Sequence, residues 1–453
     1  MPRASRLLAD ISPLRESPAY RRLWAGSTLS AVGTAMTLFA VPLQVYRLTH
    51  SPLAVGAIGL AQMVPLLAIG LLGGSLADAL DRRRLVLYTS FGQVVVSAVL
   101  AAQAFAGLHR LWLLYGLTVV QASLSAISQP ARRTFIPALL PPRLLPAGLA
   151  LNRITFQVMM IAGPALAGLI TAVPALGLRY CYLIDALSFT ASVYGVARLP
   201  ELRPGDGPAR PGLRAVAEGV AFIGRSPLLA GAFLADLSAT VFGLPASLFP
   251  AINAERFGGD PRTLGLFTTA IGVGGLVSAV LSGPLSRVTR QGLAMLGAVA
   301  VWGAAFAGFA VASGLALTLA MLALAGAADT VTVVLRGIIV QTVAPDRLRG
   351  RVSAADFVVG AGGGQLGNLE AGALGSLTTP VISALAGGLI TVAAVVVIGI
   401  GLPAFTRYRA QQPTAADPAA QEPGPADSVT AEPGAAEPGA AEPGAADTTA
   451  AAT

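Results

Sequence analysis

Lysine is absent from this chain, so all 30 of its basic residues are arginine. Cysteine occurs once, at Cys181, which excludes an internal disulfide and any cysteine-based metal cluster. Histidine occurs twice, at His50 and His109, and neither belongs to an H-E-x-x-H pattern. No Walker A sequence is present, so nothing points to direct ATP drive. Charge of either sign is scarce: 11% of residues, against about a quarter in an ordinary soluble domain. The opening MPRASRLLADISPLRESPAYRR is too polar for a signal peptide and offers no cleavage site before the first apolar run. These absences argue against a soluble enzyme, a disulfide-stapled domain and a metalloenzyme. No cofactor and no metal site is expected.

Apolar sequence fills the space that charge vacates. Of the 453 residues 54% are hydrophobic, and mean hydropathy is +0.71. The chain reads as an all-α integral membrane protein. A helix needs roughly 20 apolar residues to cross a bilayer. Twelve such runs are expected, at 22–46, 53–76, 85–107, 111–130, 150–172, 176–197, 228–252, 263–286, 291–311, 315–338, 355–376 and 380–403. Residues 1–21 form a short leading segment. A polar, Pro- and Gly-rich linker at 199–227 divides the runs into six (22–198) and six (228–409). Residues 410–453 contain EPGAAEPGAAEPGAAD, whose Pro and Gly every fifth position oppose helix, sheet and core. They are expected to be a disordered acidic tail, dispensable for activity.

Arginine placement sets the orientation. With the N-terminus cytoplasmic, 23 arginines fall inside. Five fall outside: Arg47, Arg110, Arg179, Arg256 and Arg262. That bias follows the positive-inside rule, so both termini are expected in the cytoplasm of a cell whose inner membrane the chain crosses. It also disposes of a nucleic-acid reading, because the arginines punctuate apolar runs and form no basic patch.

The halves look duplicated. Ser17-Pro18 matches Ser226-Pro227 at an offset of 209, which also carries Pro52 onto Pro261, Gly56 onto Gly265 and Gly74 onto Gly283. At an offset of 204, PPRLLPAGLA (141–150) maps on PDRLRGRVSA (345–354). Parallel six-helix repeats about an axis along the membrane normal are a known way to build a transporter, with substrate at their interface.

A stretch between the second and third runs is more specific. GGSLADALDRRR sets Gly74, Asp78, Asp81, Arg82 and Arg83 at the end of a long uncharged segment. It resembles the G-x-L-A-D-R-x-G-R-R loop of the major facilitator superfamily, with Ala79 in place of an Arg and Asp81 in place of a Gly. The resemblance runs from residue 12 to about 409. It implies a major facilitator fold of two pseudo-symmetric six-helix bundles, in which this loop latches the cytoplasmic side. The counterpart in the second half is Asp346, Arg349, Gly350 and Arg351. AGPALAG (162–168), with Gly163, Pro164 and Gly168, is similar to the Gly-Pro signature of proton antiporters, and physically permits a bend and close helix contact. The fourth run has Gln121 and Gln129 but lacks the Arg that drug antiporters often carry there. SPLRESPAYRRLW, TLFAVPLQVYRLTHSPLAVG, APDRLRGRVSA and GALGSLTTPVISALAGG look like siderophore exporters of the enterobactin type, with macrolide and multidrug exporters as neighbours.

Asp356, at the edge of the eleventh run, flanks the second-half loop, and four acids fall deeper inside spans: Asp185, Asp236, Asp329 and Glu370. An ionised group at mid-membrane costs a few kcal/mol, so such residues face a cavity or a partner. Arg336 lies seven residues after Asp329, on the same helical face. These five are the candidates for proton coupling or cavity lining. Gln44, Gln62, Asn152, Gln157, Gln365 and Asn368 are further polar candidates for the cavity. The expectation is a monomeric secondary transporter that exports a small amphipathic, siderophore-like molecule against protons and contacts lipid but no nucleic acid. A multidrug or macrolide pump is the alternative, and a non-transporting regulator on the same fold a third.

Overall fold

A computed structural model describes residues 10–79, 81–200, 213–243, 245–283, 285 and 288–409. Side-chain surroundings at 70–79, 213–215, 346 and 361 fall outside the description, as do the tail and most of the linker. Every regular element among the described residues is helical. The elements are α1 (Ser12–Glu16), α2 (Pro18–Thr49), α3 (Pro52–Ala79), α4 (Arg82–Phe105), α5 (Leu111–Leu139), α6 (Leu145–Ala172), α7 (Gly177–Ala197) and α8 (Leu213–Arg225). They continue as α9 (Pro227–Phe242), α10 (Phe249–Phe257), α11 (Pro261–Val280), α12 (Gln291–Val311), α13 (Leu315–Val343), α14 (Asp346–Leu377), α15 (Pro380–Gly401) and α16 (Pro403–Arg407).

Start signals are local and readable. Ser17 and Ser226, the pair the repeat matches, each cap a helix through the side-chain oxygen, followed by Pro at the first helical position. Asp260 caps α11 and Thr379 caps α15 in the same way. Asp81 caps α4, its carboxylate accepting the Arg83 and Arg84 amides at 2.8 and 3.1 Å.

Among the described residues, ten helical segments are long and apolar enough to cross a membrane. The two expected spans outside that set are α7, which carries Asp185, and α14, which carries Asp346, Asp356, Glu370 and several arginines. Both are sheltered. α7 packs along α2 and α4, and α14 along α3 and α9. The expected seventh span, 228–252, is broken: α9 ends at Phe242, a 3-10 turn covers Ala246–Leu248, and α10 follows. Broken helices survive in a membrane only where the freed backbone groups find partners. Here Trp302 donates to the Ala239 carbonyl (3.3 Å), and Asn368 accepts the Ser247 amide (3.1 Å).

Helices α2–α7 pack among themselves, as do α9–α15. The end carrying the turns at 50–51, 106–110, 173–176, 258–260, 312–314 and 378–379 is here called distal, the other proximal. The halves meet along two seams, α3 against α14 and α6 against α11. Their distal parts are the tightest. A Cβ on Gly168 would lie 2.7 Å from the Pro261 carbonyl oxygen, and one on Gly372 would lie 2.5 Å from that of Pro52. Pro52 and Pro261 are the two residues that the 209 offset superposes, and Gly168 and Gly372 differ by the 204 offset. The seams are one contact made twice. Helices meeting without a hydrophobic driving force rely on such close backbone approach.

Candidate functional site

Three charged side chains from three second-half helices converge inside the bundle. Arg336 of α13 pairs with Asp236 of α9, and its Nε lies 3.4 Å from Asp356 Oδ1 of α14. Arg336 and Asp236 are almost fully buried, with 12% and 5% side-chain exposure, while Asp356 keeps 36%. Asp236 is nine residues into α9 and Asp356 ten into α14, which places the cluster roughly 15 Å from the proximal end at about 1.5 Å per residue. A buried carboxylate needs a partner, and Arg336 supplies it.

Asp329 does not pair with Arg336 directly, although the seven-residue spacing allowed it. It lies within electrostatic reach of Asp236 and Arg336 and also of Arg153 on α6, the other half. Asp329 and Arg153 are both exposed. They belong to different halves, on α13 and α6. Asp356, which the sequence suggested only as a flank of the second-half loop, is thus a cluster member that sequence reasoning missed. The available signal was its place ten residues inside a helix.

Asp185 stands apart. It is fully buried, and one carboxylate oxygen accepts hydrogen bonds from Thr37 (2.7 Å) and Ser97 (2.8 Å). The other oxygen faces Gly33 of α2, where a Cβ would approach it to 2.9 Å. Thr37 also lines a cavity of about 220 Å³ walled by α2, α3 and α5 and reached from the second half by Gln365 of α14. The cavity wall mixes neutral polar side chains (Thr34, Gln62, Thr118, Gln121, Ser125, Gln365) with Leu38, Val41, Pro42 and Leu66. No charged residue among the described ones lines it. Gln365 donates to Gln62 across the seam at 2.9 Å. Such a cavity suits a molecule with an apolar body and several neutral hydrogen-bonding groups.

The remaining candidates fall in other places. Glu370 is half-buried near the distal end of α14. Gln44 bonds with Gln103 (3.2 Å) and Tyr182 (2.7 Å) inside the first half, away from that cavity. Asn368 caps the α9–α10 break. Asn152 is exposed and Gln157 half-buried on α6. Gly163 lies against Ala35 of α2, where a Cβ would come within 2.3 Å of the alanine methyl, and Gly168 belongs to the α6–α11 seam. Pro164 lies inside the unbroken α6, its carbonyl turned to Gly265.

Of the loop motif, Gly74 and Asp78 lie where side-chain surroundings are not described. Arg83 donates to the Ala197 carbonyl at 2.6 Å, tying the α4 start to the α7 end, and Arg82 is the first residue of α4. Asp346, Arg349, Gly350 and Arg351 belong to the first turns of α14. Arg351 pairs with Glu218 of α8 at 2.6 Å, and Arg349 reaches the Gln341 carbonyl at 3.4 Å. Among the described residues no group of side chains could hold a metal ion.

Comparison with known proteins sets this geometry in context. The profile of a major facilitator family described as transmembrane secretion effector matches residues 8–432. The chain is 27% identical over 413 residues to a protein of Shigella boydii serotype 18 named enterobactin exporter EntS, covering 90% of this chain and 98% of that one. It is 27% identical over 415 residues to the protein of the same name from Escherichia coli O1:K1, with the same coverage. Among solved structures, the nucleoside transporter NupG superposes with a TM-score of 0.68 at 15% identity, over 86% of this chain and 99% of that one. A bacterial homologue of the iron transporter ferroportin gives 0.63 at 18%, again over 86% and 99%. At these identities the structural likeness speaks for the fold alone.

Proposed function

Because the chain belongs to the transmembrane secretion effector family of the major facilitator superfamily, and is therefore a multi-pass membrane transporter, we propose that it exports a small amphipathic molecule of the siderophore kind in exchange for protons. The observation that carries the coupling half of the proposal is the Arg336–Asp236–Asp356 cluster with Asp329 beside it. One cation serves several carboxylates there, so a proton arriving on one of them frees the guanidinium for another. That redistribution is a two-state element of the kind alternating access needs. Arg153 lies on α6, so the same event reaches the other half.

The neutral, mixed lining of the cavity supports the substrate half, and so do the exporter names of the relatives. The proposed cycle opens and closes the distal seams in turn. The proposed orientation places the proximal end, with both termini, in the cytoplasm of the inner membrane, and the proposed unit is the monomer. The test is reconstituted transport of a catecholate siderophore with and without an imposed pH gradient. Asp236→Asn or Asp329→Asn is expected to abolish gradient-driven accumulation and to leave downhill exchange. Full accumulation by both variants overturns the assignment. Transport of macrolides but not of the siderophore favours the multidrug reading instead.

A further inference from the structure

The distal face of the first half contains a second cavity, of about 320 Å³, separate from the space between the halves. Its floor is amide: Gln44 and Gln103, both more than nine-tenths buried and hydrogen-bonded to each other at 3.2 Å in both directions. Its rim is basic. Arg47 comes from the last turn of α2, Arg179 from the first turn of α7, and His109 from the turn before α5. Arg179 is fixed in place: it donates to the Leu176 and Ala175 carbonyls (3.1 and 2.7 Å) and lies over the Phe105 ring at 5.3 Å. Gly177, the first residue of α7, also lines the cavity, and the helix is preceded by Leu176, which offers no side-chain cap. The positive end of a 21-residue helix therefore adds to the three basic side chains.

Among the described residues no acid lines this cavity. The acids of residues 1–198 are Asp10, Glu16, Asp78 and Asp81 at the proximal end and Asp185, buried on Thr37 and Ser97. Glu255 of α10 interacts with Tyr46, beside Arg47, but does not line the cavity. The distal end is also where arginine is scarce: only five were expected there, and Arg47, Arg110 and Arg179 fall at this corner. Of the other two, Arg256 is bound by the Phe309, Ala310 and Ala312 carbonyls.

We infer that this cavity is a binding site for a phosphate-bearing anion, held by Arg47, Arg179 and His109 over the Gln44–Gln103 floor. Phosphate suits it because several donors converge from different directions, and charge-assisted bonds to phosphate are the strong ones. The anion joins the distal ends of α2, α4 and α7. Two sources carry this chemistry: the headgroup of an anionic phospholipid in the distal leaflet, and a soluble phosphate.

The experiment uses the full chain in detergent. Binding of inorganic phosphate is followed by thermal shift, and retention of phosphatidylglycerol over phosphatidylcholine by native mass spectrometry. Arg47→Gln and the exposed-turn variant His109→Gln are compared with Arg110→Gln, which removes the same charge at the same corner from a residue that does not line the cavity. Arg47→Gln is expected to weaken binding at least about tenfold, His109→Gln by less, and Arg110→Gln by under about twofold, since a charge-assisted contact is worth roughly a factor of ten or more. Loss of saturable phosphate binding identifies a soluble anion, and loss of selective phosphatidylglycerol retention identifies the lipid. The inference fails if neither probe binds saturably to the native chain. It also fails if Arg110→Gln weakens binding as much as Arg47→Gln, which would mean a diffuse field without a site.

Discussion

Arg336 holds two carboxylates from two other helices, and that arrangement makes its removal costlier than theirs. Taking away a buried cation leaves Asp236 without compensation, a loss of about 3–5 kcal/mol where the partner stays charged. Arg336→Gln is therefore expected to lower the detergent melting temperature by many degrees, and Asp236→Asn by much less. Arg336→Gln combined with Asp236→Asn is expected to recover most of the loss, because the orphaned charge has gone. A double variant no more stable than Arg336→Gln alone would contradict the pairing. Thr37→Val is a milder case. It deletes one of the two hydroxyls on Asp185 and should cost about 1–3 kcal/mol, read as a lower melting temperature with Ser97→Ala additive or worse. At this scale the sequence located Asp236, Asp329 and Arg336 because charge inside apolar runs stands out. It could not pair them. Asp236 and Arg336 are a hundred residues apart, and which helix faces meet is decided by packing across α9, α13 and α14. Asp356 was passed over because it follows three arginines and an aspartate that read as loop.

Among the elements, α3 and α14, with α6 and α11, decide how the halves move. The seam positions have no room for a side chain: a methyl group on Gly168 or Gly372 would press on a backbone carbonyl oxygen, which cannot swing aside as a side chain can. Gly168→Val and Gly372→Val are expected to part the distal ends. Overpacking costs typically about 1–3 kcal/mol, enough to shift a balanced equilibrium by roughly tenfold. In a Cys181→Ala background with Gln62→Cys as reporter, labelling by a membrane-impermeant maleimide from the distal side should rise by that order in either variant. Unchanged labelling would mean that the seams yield elsewhere. The glycines and prolines of these seams were legible as repeat matches, and Gly168 as part of AGPALAG. Their contact partners were not, since a repeat offset says which positions correspond and nothing about which ones touch. The break between α9 and α10 was missed for a related reason. FGLPASLFP is nearly as apolar as its surroundings, and hydropathy averages over Pro245, just past the end of α9, and Pro250, in the first turn of α10.

For the whole molecule, orientation is the first prediction. Cysteines placed by Asp206→Cys in the linker and Gly258→Cys in the α10–α11 turn, in the Cys181→Ala background, are expected to react from opposite faces of the membrane. Reaction from one face would overturn the topology drawn from arginine placement. Truncation after Ala410 is expected to leave the transport rate per folded molecule within about twofold, as polar ends usually allow. The all-helical, multi-span architecture was the most legible property of all, because span length is local.

The doubled seam has a consequence for ancestry. Pro52 meets Gly372 as Pro261 meets Gly168, so each half offers one edge and receives the other. An isologous contact between two copies of a chain has this form, in which a patch and its complement are exchanged about a two-fold axis. A single six-helix unit carrying both edges would close both seams at once by meeting its own copy, with no leftover edge to recruit a third. On this view the fused chain descends from a homodimer, and the 199–227 linker joins two partners that already fitted. Residues 1–206 and 207–453, expressed as separate polypeptides in one cell, should therefore co-purify and transport, and should fail to do so when Gly168→Val and Gly372→Val are both present.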